Sequence, residues 1–91
     1  MTTEERVAVG ASLLDRVMPG WPAKIELERL DIQSCTCCVL GQLYGDYGAG
    51  FGALGISCGY QYGFVAASVG APHTTERAWI AEIQARRGGA R

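Results

Sequence analysis

The sequence lacks an excess of charge of either sign: lysine and arginine number 8, aspartate and glutamate number 9, and the formal net charge is −1. This balance excludes a general electrostatic attraction to nucleic acid or to an anionic membrane surface. Charge is also scarce in the middle of the chain, where Asp46 is the one formal charge between Ile32 and Pro72. We therefore predict polar arms around an uncharged central segment, and no nucleic-acid partner.

A hydrophobic run long enough to cross a bilayer is also missing. Gly55, Gly59 and Gly63 have the small-xxx-small spacing that packs membrane helices. A membrane span requires ~20 apolar residues, but this stretch contains Gln61 and few large aliphatic side chains. The first residues, Met1 to Arg6, are polar and lead into no apolar core, so we expect no secretory signal. These absences predict a cytoplasmic protein with no membrane partner.

The apolar spacing predicts a mainly α fold, a compact bundle of about four helices. Thr2 and Glu5 have the spacing of a capping box ahead of the first helix, and Pro19 ends that helix. Asp31 or Ser34 can cap the second helix, and Asp46 the third. The predicted helices cover residues 3–18, 35–44, 47–54 and 75–87, with an irregular or short-strand segment at 56–71. We expect a single globular domain over residues 1–87 and a flexible tail at 88–91.

Three of the four cysteines, Cys35, Cys37 and Cys38, lie close together in the chain. Cys35 and Cys38 have zinc-knuckle spacing, and Cys58 with His73 would complete a site of three sulfurs and one nitrogen. A second hypothesis is redox chemistry, because the positive end of a helix favours thiolate at cysteines that begin it. No second tight cysteine pair supports zinc, and no βαβ pattern supports a thioredoxin-type site.

The hypothesis that we favour for this cluster is packing. Cysteine behaves as a compact hydrophobe, so we expect Cys35 and Cys38 to be buried and to hold the second helix against the first. Cys37 and Cys58 are then incidental thiols. We accordingly predict no metal and no cofactor, with zinc as the alternative.

Other motifs do not indicate catalysis. The glycine-rich stretch from Gly48 to Gly55 lacks the Lys-Ser/Thr pair of a phosphate-binding loop, which favours a role in turns and packing. His73 is a single histidine without a carboxylate partner at a fixed spacing. The acidic residues Glu26, Glu28 and Asp31 are typical of a solvated face. We therefore predict that the protein is not an enzyme.

The motif Ser-Cys-x-x-Cys-Val-Leu-Gly-Gln-Leu-Tyr-Gly, from Ser34 to Gly45, resembles a group of short uncharacterised proteins of actinobacteria and their phages. Asp46-Tyr47 and the later Trp79-Ile80 are similar to the same group. In that motif Cys35 and Cys38 are the defining pair, whereas Cys37 and Cys58 lie outside it. The resemblance implies no established activity, but it raises a phage-encoded origin and a host protein as the target.

Aromatic side chains are concentrated in the uncharged middle, and a domain this small cannot be expected to bury every ring. Exposed aromatic surface is typical of interaction sites. We therefore predict a small non-enzymatic protein-interaction module that binds another protein or itself. A small zinc-binding or thiol-redox-responsive protein is the alternative. Trp21 is expected chiefly to cover the first helix, and the interaction candidates are Trp21, Tyr44, Tyr47, Phe51, Tyr60 and Tyr62.

Overall fold

Helices form nearly all the regular structure in the computed structural model, which describes residues 2–56, 59–65 and 72–89. Helix α1 packs against α4, and α2 packs against α3. No β-strand occurs over the described ranges, so the predicted mainly α fold is confirmed. These ranges contain four α-helices, α1 (Thr3–Val17), α2 (Val39–Tyr44), α3 (Tyr47–Leu54) and α4 (Pro72–Gly89), and 3₁₀ turns at Trp21–Lys24, Leu27–Arg29 and Tyr60–Tyr62.

Local capping sets the bounds of α1 and α3 close to their predicted positions. The Thr2 hydroxyl accepts a hydrogen bond from the Glu5 amide at 3.1 Å, and the Glu5 carboxylate accepts one from the Thr2 amide at 2.7 Å. Before α3, the Asp46 carboxylate accepts from the Ala49 amide at 2.7 Å. Gly55 ends α3 with a φ of 69°, a backbone conformation that favours glycine.

Helix α2 begins at Val39 instead of residue 35, because the residues before it form a separate turn. The Ser34 hydroxyl accepts from the Cys37 amide at 3.1 Å, and the Cys38 amide donates to the Ser34 carbonyl at 3.0 Å. Serine hydroxyls that bond to nearby amides compete with regular helix. The cysteine cluster therefore lies in the turn ahead of α2, and not along the helix.

Helix α4 extends beyond its predicted range of 75–87 at both ends, and it includes Gly88 and Gly89 of the predicted tail. The Arg87 guanidinium donates to the Pro22 carbonyl at 2.7 Å and also to the Ile25 carbonyl. These contacts hold the last turn of the helix against the 3₁₀ turn that begins at Trp21. Residues 90 and 91 lie outside the described residues.

The predicted irregular segment at 56–71 is described only at residues 56 and 59–65. There it contains the 3₁₀ turn Tyr60–Tyr62 and no strand. Residues 57, 58 and 66–71 lie outside the described residues. Among the helices that are described, none is long and apolar enough to cross a membrane.

Trp79 of α4 lies at the centre of the core. Its ring is fully buried, meets the buried ring of Trp21 edge to face at 5.8 Å, and stacks on Phe64 at 5.4 Å. Its indole Nε1 donates to the Gly63 carbonyl at 2.7 Å. The indole is thus fully enclosed, and its single donor is satisfied.

Gly10 allows the segment 59–65 to lie directly on α1. A Cβ at this position would be 2.0 Å from the Tyr62 carbonyl oxygen and 3.2 Å from the Trp79 ring. Glycine inside a helix costs about 1 kcal/mol relative to alanine. Here that cost is offset by close contact between α1 and the backbone of the Tyr60–Tyr62 turn.

We predict that Gly10→Ala lowers the free energy of unfolding by about 2 kcal/mol, because the added methyl group overlaps the Tyr62 carbonyl. Gly52→Ala is the matched control, since nothing lies within 4 Å of a Cβ at Gly52. The control should raise the free energy of unfolding by about 0.5–1 kcal/mol through helix propensity. Urea unfolding measures both, and equal effects of the two substitutions would contradict the close approach at Gly10.

A polar network joins α1, Trp21 and the end of α4. The Asp15 carboxylate accepts from the Trp21 indole at 2.9 Å and from the Arg86 guanidinium at 2.9 Å. Arg86 also pairs with Glu82 and lies over the Trp21 ring, 5.7 Å from its centroid. The hydrogen bond from Arg86, followed by that from Trp21, lowers the pKa of Asp15.

A lowered pKa in the folded state means that the stability contributed by Asp15 is present at neutral pH and is lost as the pH falls through that pKa. The Asp15 side chain is 46% exposed, so solvent weakens the pair. We predict that Asp15→Asn lowers the free energy of unfolding by about 1 kcal/mol at pH 7.

The loss should shrink when the same urea unfolding is measured near pH 3. Glu28→Gln, at an exposed position, is the charge-matched control and should have little effect at either pH. A loss of equal size at both pH values would show that the Asp15 charge contributes nothing.

Candidate functional site

The turn before α2 places its three cysteines in different environments. Cys35 is exposed, Cys37 is partly exposed and Cys38 is buried, and all three are free thiols. The prediction that Cys35 and Cys38 are both buried is therefore wrong for Cys35. The reason is the turn itself, which points only the second member of the pair toward α2.

Cys38 is the N-cap of α2. Its Sγ accepts a hydrogen bond from the Gly41 amide at 3.3 Å, and its side chain is 2% exposed. Burial raises the pKa of the Cys38 thiol, so it remains protonated at neutral pH. A thiol in this state packs and caps, and it reacts slowly as a nucleophile.

Gly41 lets the cysteine turn lie flat on α2. A Cβ at this position would be 2.4 Å from the Cys35 carbonyl oxygen and 2.7 Å from the Thr36 Cα. The Gln42 side chain adds a polar link, because its amide donates to the Cys37 carbonyl at 3.0 Å. The turn and the first residues of α2 therefore form one packed unit.

The neighbours of Cys37 favour its thiolate form. Hydrogen bonds from the hydroxyls of Ser34 and Thr36 lower its pKa, and Arg29 lowers it further. The sequence pattern predicts Cys37 to be an incidental thiol. The hydroxyl of Ser34, three residues before Cys37, is the local feature that could have indicated a lowered pKa for this thiol. The approach of Arg29 depends on how the chain folds and could not be read from the sequence.

The predicted metal ligands do not assemble in the described part of the chain. No group of three or more histidine, cysteine, aspartate or glutamate side chains close enough to hold an ion occurs over residues 2–56, 59–65 and 72–89. His73 is exposed near the start of α4. Cys58, the remaining candidate, lies outside the described residues.

Cys35 and Cys38 border an open pocket of about 320 Å³ between the cysteine turn and the start of α3. Tyr47, the first residue of α3, and Val65 also line this pocket. The remaining lining residues are Ile32, Gln33 and Ser34.

Helix α3 has an unusual exposed face, which we call the α3 outer face. It consists of Gly48, Ala49, Gly52 and Ala53, all of which are exposed. The opposite face carries Tyr47, Phe51 and Leu54, which pack against the core as predicted. The α3 outer face thus carries no charge and no side chain larger than a methyl group.

Gly50 belongs to the buried side of α3. A Cβ there would be 2.8 Å from the Leu40 Cβ, so glycine allows α2 and α3 to pack closely. The same reason does not apply at Gly52, where nothing lies within 4 Å of a Cβ, or at Gly48, where the nearest atom is an Asp46 carboxylate oxygen at 3.4 Å.

The predicted aromatic candidates divide by exposure. Trp21 is fully buried, which corrects its inclusion as an interaction residue: its ring packs against Trp79, and its indole nitrogen donates to Asp15. Tyr60 is 41% exposed and lies 4.3 Å from the Arg6 guanidinium carbon. Half-buried rings make up the rest: Tyr44, Tyr47, Phe51 and Tyr62.

Tyr47 and Phe51 form a pair at the edge of α3, with ring centroids 4.6 Å apart. Gly59 packs against both rings, since a Cβ there would be 2.5 Å from the Tyr47 hydroxyl and 2.9 Å from the Phe51 Cζ. These two rings border the α3 outer face without covering it.

Comparison with known proteins adds no relative. No protein-family model, curated protein or solved structure matches the chain.

We predict that the cap of α2 requires a hydrogen-bond acceptor at Cys38, which a serine hydroxyl can supply as well as a sulfur. Cys38→Ser should preserve the cap on α2, since serine is a preferred N-cap residue, whereas Cys38→Ala should lower the free energy of unfolding by about 1 kcal/mol. Urea unfolding compares the two variants. A serine variant that unfolds as readily as the alanine variant would contradict the capping role.

Proposed function

We propose that the protein is a cytoplasmic, non-enzymatic interaction module that binds another protein, or a second copy of itself, through the α3 outer face. The observation that carries the proposal is the exposure of Gly48, Ala49, Gly52 and Ala53 on one side of a helix. A partner helix could approach this bare backbone more closely than it could approach a face with long side chains.

The energetics of α3 support this function. Glycine in a helix costs about 1 kcal/mol relative to alanine. At Gly50 the cost is offset by packing against Leu40, but at Gly52 no neighbouring atom lies within 4 Å of a Cβ. Stabilising substitutions are thus available and unused, a pattern expected where function opposes stability.

The residues around the α3 outer face also suit protein binding. The face itself is uncharged, so a partner can cover it without burying an unpaired ion. Tyr47 and Phe51 stand at its border, and half-buried aromatic rings supply large apolar area at interfaces. Asp46, at the N-terminal end of α3, adds a polar rim.

The non-enzymatic assignment is supported by the placement of the candidate reactive groups, Cys38 and His73. The Cys38 sulfur caps α2, and His73 is not among the residues that line the pocket beside Cys35. The resemblance of the Ser34–Gly45 motif to actinobacterial and actinophage proteins extends the proposal: a phage-encoded chain would act on a protein of its host.

Gly52→Lys tests the proposal. The substitution fits the folded chain, because the position is open, and it should stabilise α3. It should also abolish close contact at the α3 outer face. We predict loss of self-association in sedimentation equilibrium, or loss of the proteins captured from an actinobacterial lysate, without loss of thermal stability.

Ala81→Lys is the matched control. It adds the same charge at an exposed position of α4 and should associate like the wild type. If Gly52→Lys and Ala81→Lys associate equally well and capture the same proteins, the α3 outer face is not the binding surface. A wild type that stays monomeric and captures nothing would refute the module itself.

A further inference from the structure

Cys35 and Cys38 lie within a single helical-type turn, closed by the hydrogen bond from the Cys38 amide to the Ser34 carbonyl at 3.0 Å. The Cys38 sulfur lies 4.0 Å from the Cys35 carbonyl oxygen, and both cysteines line the same pocket. Residues three apart in such a turn have Cβ atoms about 5–6 Å apart. A disulfide requires about 3.5–4.5 Å, so a small contraction of the turn would join the two sulfurs.

That contraction conflicts with the cap of α2. The Cys38 sulfur now accepts from the Gly41 amide at 3.3 Å, and it must leave this position to reach Cys35. The amide of Gly41 is buried and would lose its acceptor. The Cys35 and Thr36 backbone also rests on Gly41, where a Cβ would be 2.4 Å from the Cys35 oxygen, so the turn cannot move without disturbing α2.

Contacts continue from α2 to α3. Leu40, next to Gly41, packs on Gly50 so closely that a Cβ on that glycine would be 2.8 Å from the Leu40 Cβ. Gly50 lies in the middle of α3, on the side opposite the α3 outer face. A movement of the first residues of α2 would therefore displace Leu40, the side chain on which α3 rests behind the α3 outer face.

We propose that Cys35 and Cys38 form a reversible disulfide that removes the cap of α2 and weakens binding at the α3 outer face. The effect on binding rests on the proposed function, whereas the disulfide and the loss of the cap do not. Cys35 is exposed and reacts first with the oxidant. Cys38 is buried and then attacks the mixed disulfide formed at Cys35.

The oxidant is a small-molecule disulfide such as oxidised glutathione. The Cys35 thiolate attacks one sulfur of that disulfide, whose S–S bond breaks and releases one glutathione thiolate. Cys38 then loses its proton to water and attacks the Cys35 sulfur, which releases the second glutathione thiolate. Two cysteine thiols are thus oxidised by two electrons, oxidised glutathione is reduced to two thiols, and the cysteine protons end on these products. Burial of Cys38 makes the second step slow.

The test uses the full chain with Cys37→Ser and Cys58→Ser, which leaves Cys35 and Cys38 as its only thiols. After treatment with oxidised glutathione, we expect the intact mass to fall by two hydrogen atoms. Hydrogen exchange at the Gly41 amide should become about tenfold faster, as expected for a lost N-cap, while exchange in the middle of α1 stays unchanged. Dithiothreitol should reverse both changes.

The same treatment is applied to the wild-type chain, and its disulfide is located by mass-spectrometric fragmentation. This measurement decides the pairing even if the double-serine variant misfolds. Adding Cys35→Ser to the test variant is the matched control, and exchange at Gly41 should then stay slow after treatment. A pair that stays reduced, a disulfide to Cys37 or Cys58 instead, or unchanged exchange at Gly41 would each overturn the proposal.

Binding is measured separately, with the reduced and the oxidised wild type. We expect oxidation to weaken association through the α3 outer face at least fivefold, on the scale of the lost cap. Unchanged association in a chain that has formed the disulfide overturns the coupling to α3. If the reduced chain never associates, the proposed function fails, and the disulfide with its effect on α2 is judged from the mass and exchange measurements alone.

Discussion

The hydrogen bond from the Trp79 indole to the Gly63 carbonyl, at 2.7 Å, is the contact on which the rest of the fold depends. It fixes a backbone segment between α1 and α4, and it places the Trp79 ring where Trp21 and Phe64 can pack on it. The segment lies against α1 only because Gly10 has no side chain. A single buried donor thus holds two helices and an irregular segment in one arrangement.

The α2–α3 half of the molecule is built on a different principle, close contact between backbones. Gly41 accommodates the cysteine turn, and Gly50 accommodates Leu40, so two short helices of limited intrinsic stability hold each other in place. Gly52 has no such neighbour. Packing thus requires glycine at positions 41 and 50 but not at position 52, which lies on the α3 outer face.

Local signals explain which elements could be predicted from the sequence. Thr2 and Glu5 begin α1, and Asp46 and Gly55 delimit α3, so both helices lie where they were expected. The start of α2 was missed because a cysteine sulfur caps it, an uncommon N-cap. At the C-terminal end of α4, the extra length goes with Arg87 contacts to carbonyls more than sixty residues earlier in the chain, which no local pattern reveals. For the site, burial was predicted correctly for Cys38 and wrongly for Cys35, since their exposure depends on how the turn rests on Gly41.

The position of Trp79 late in the chain has a consequence for folding during synthesis. Until that residue has left the ribosome, α1 has formed no contact with α4, and the apolar stripe that contains Val7, Ala11 and Leu14 lacks the cover that α4 supplies. Most of the nascent chain therefore emerges before its core can close. During that interval α1 presents apolar surface of the kind that chaperones recognise.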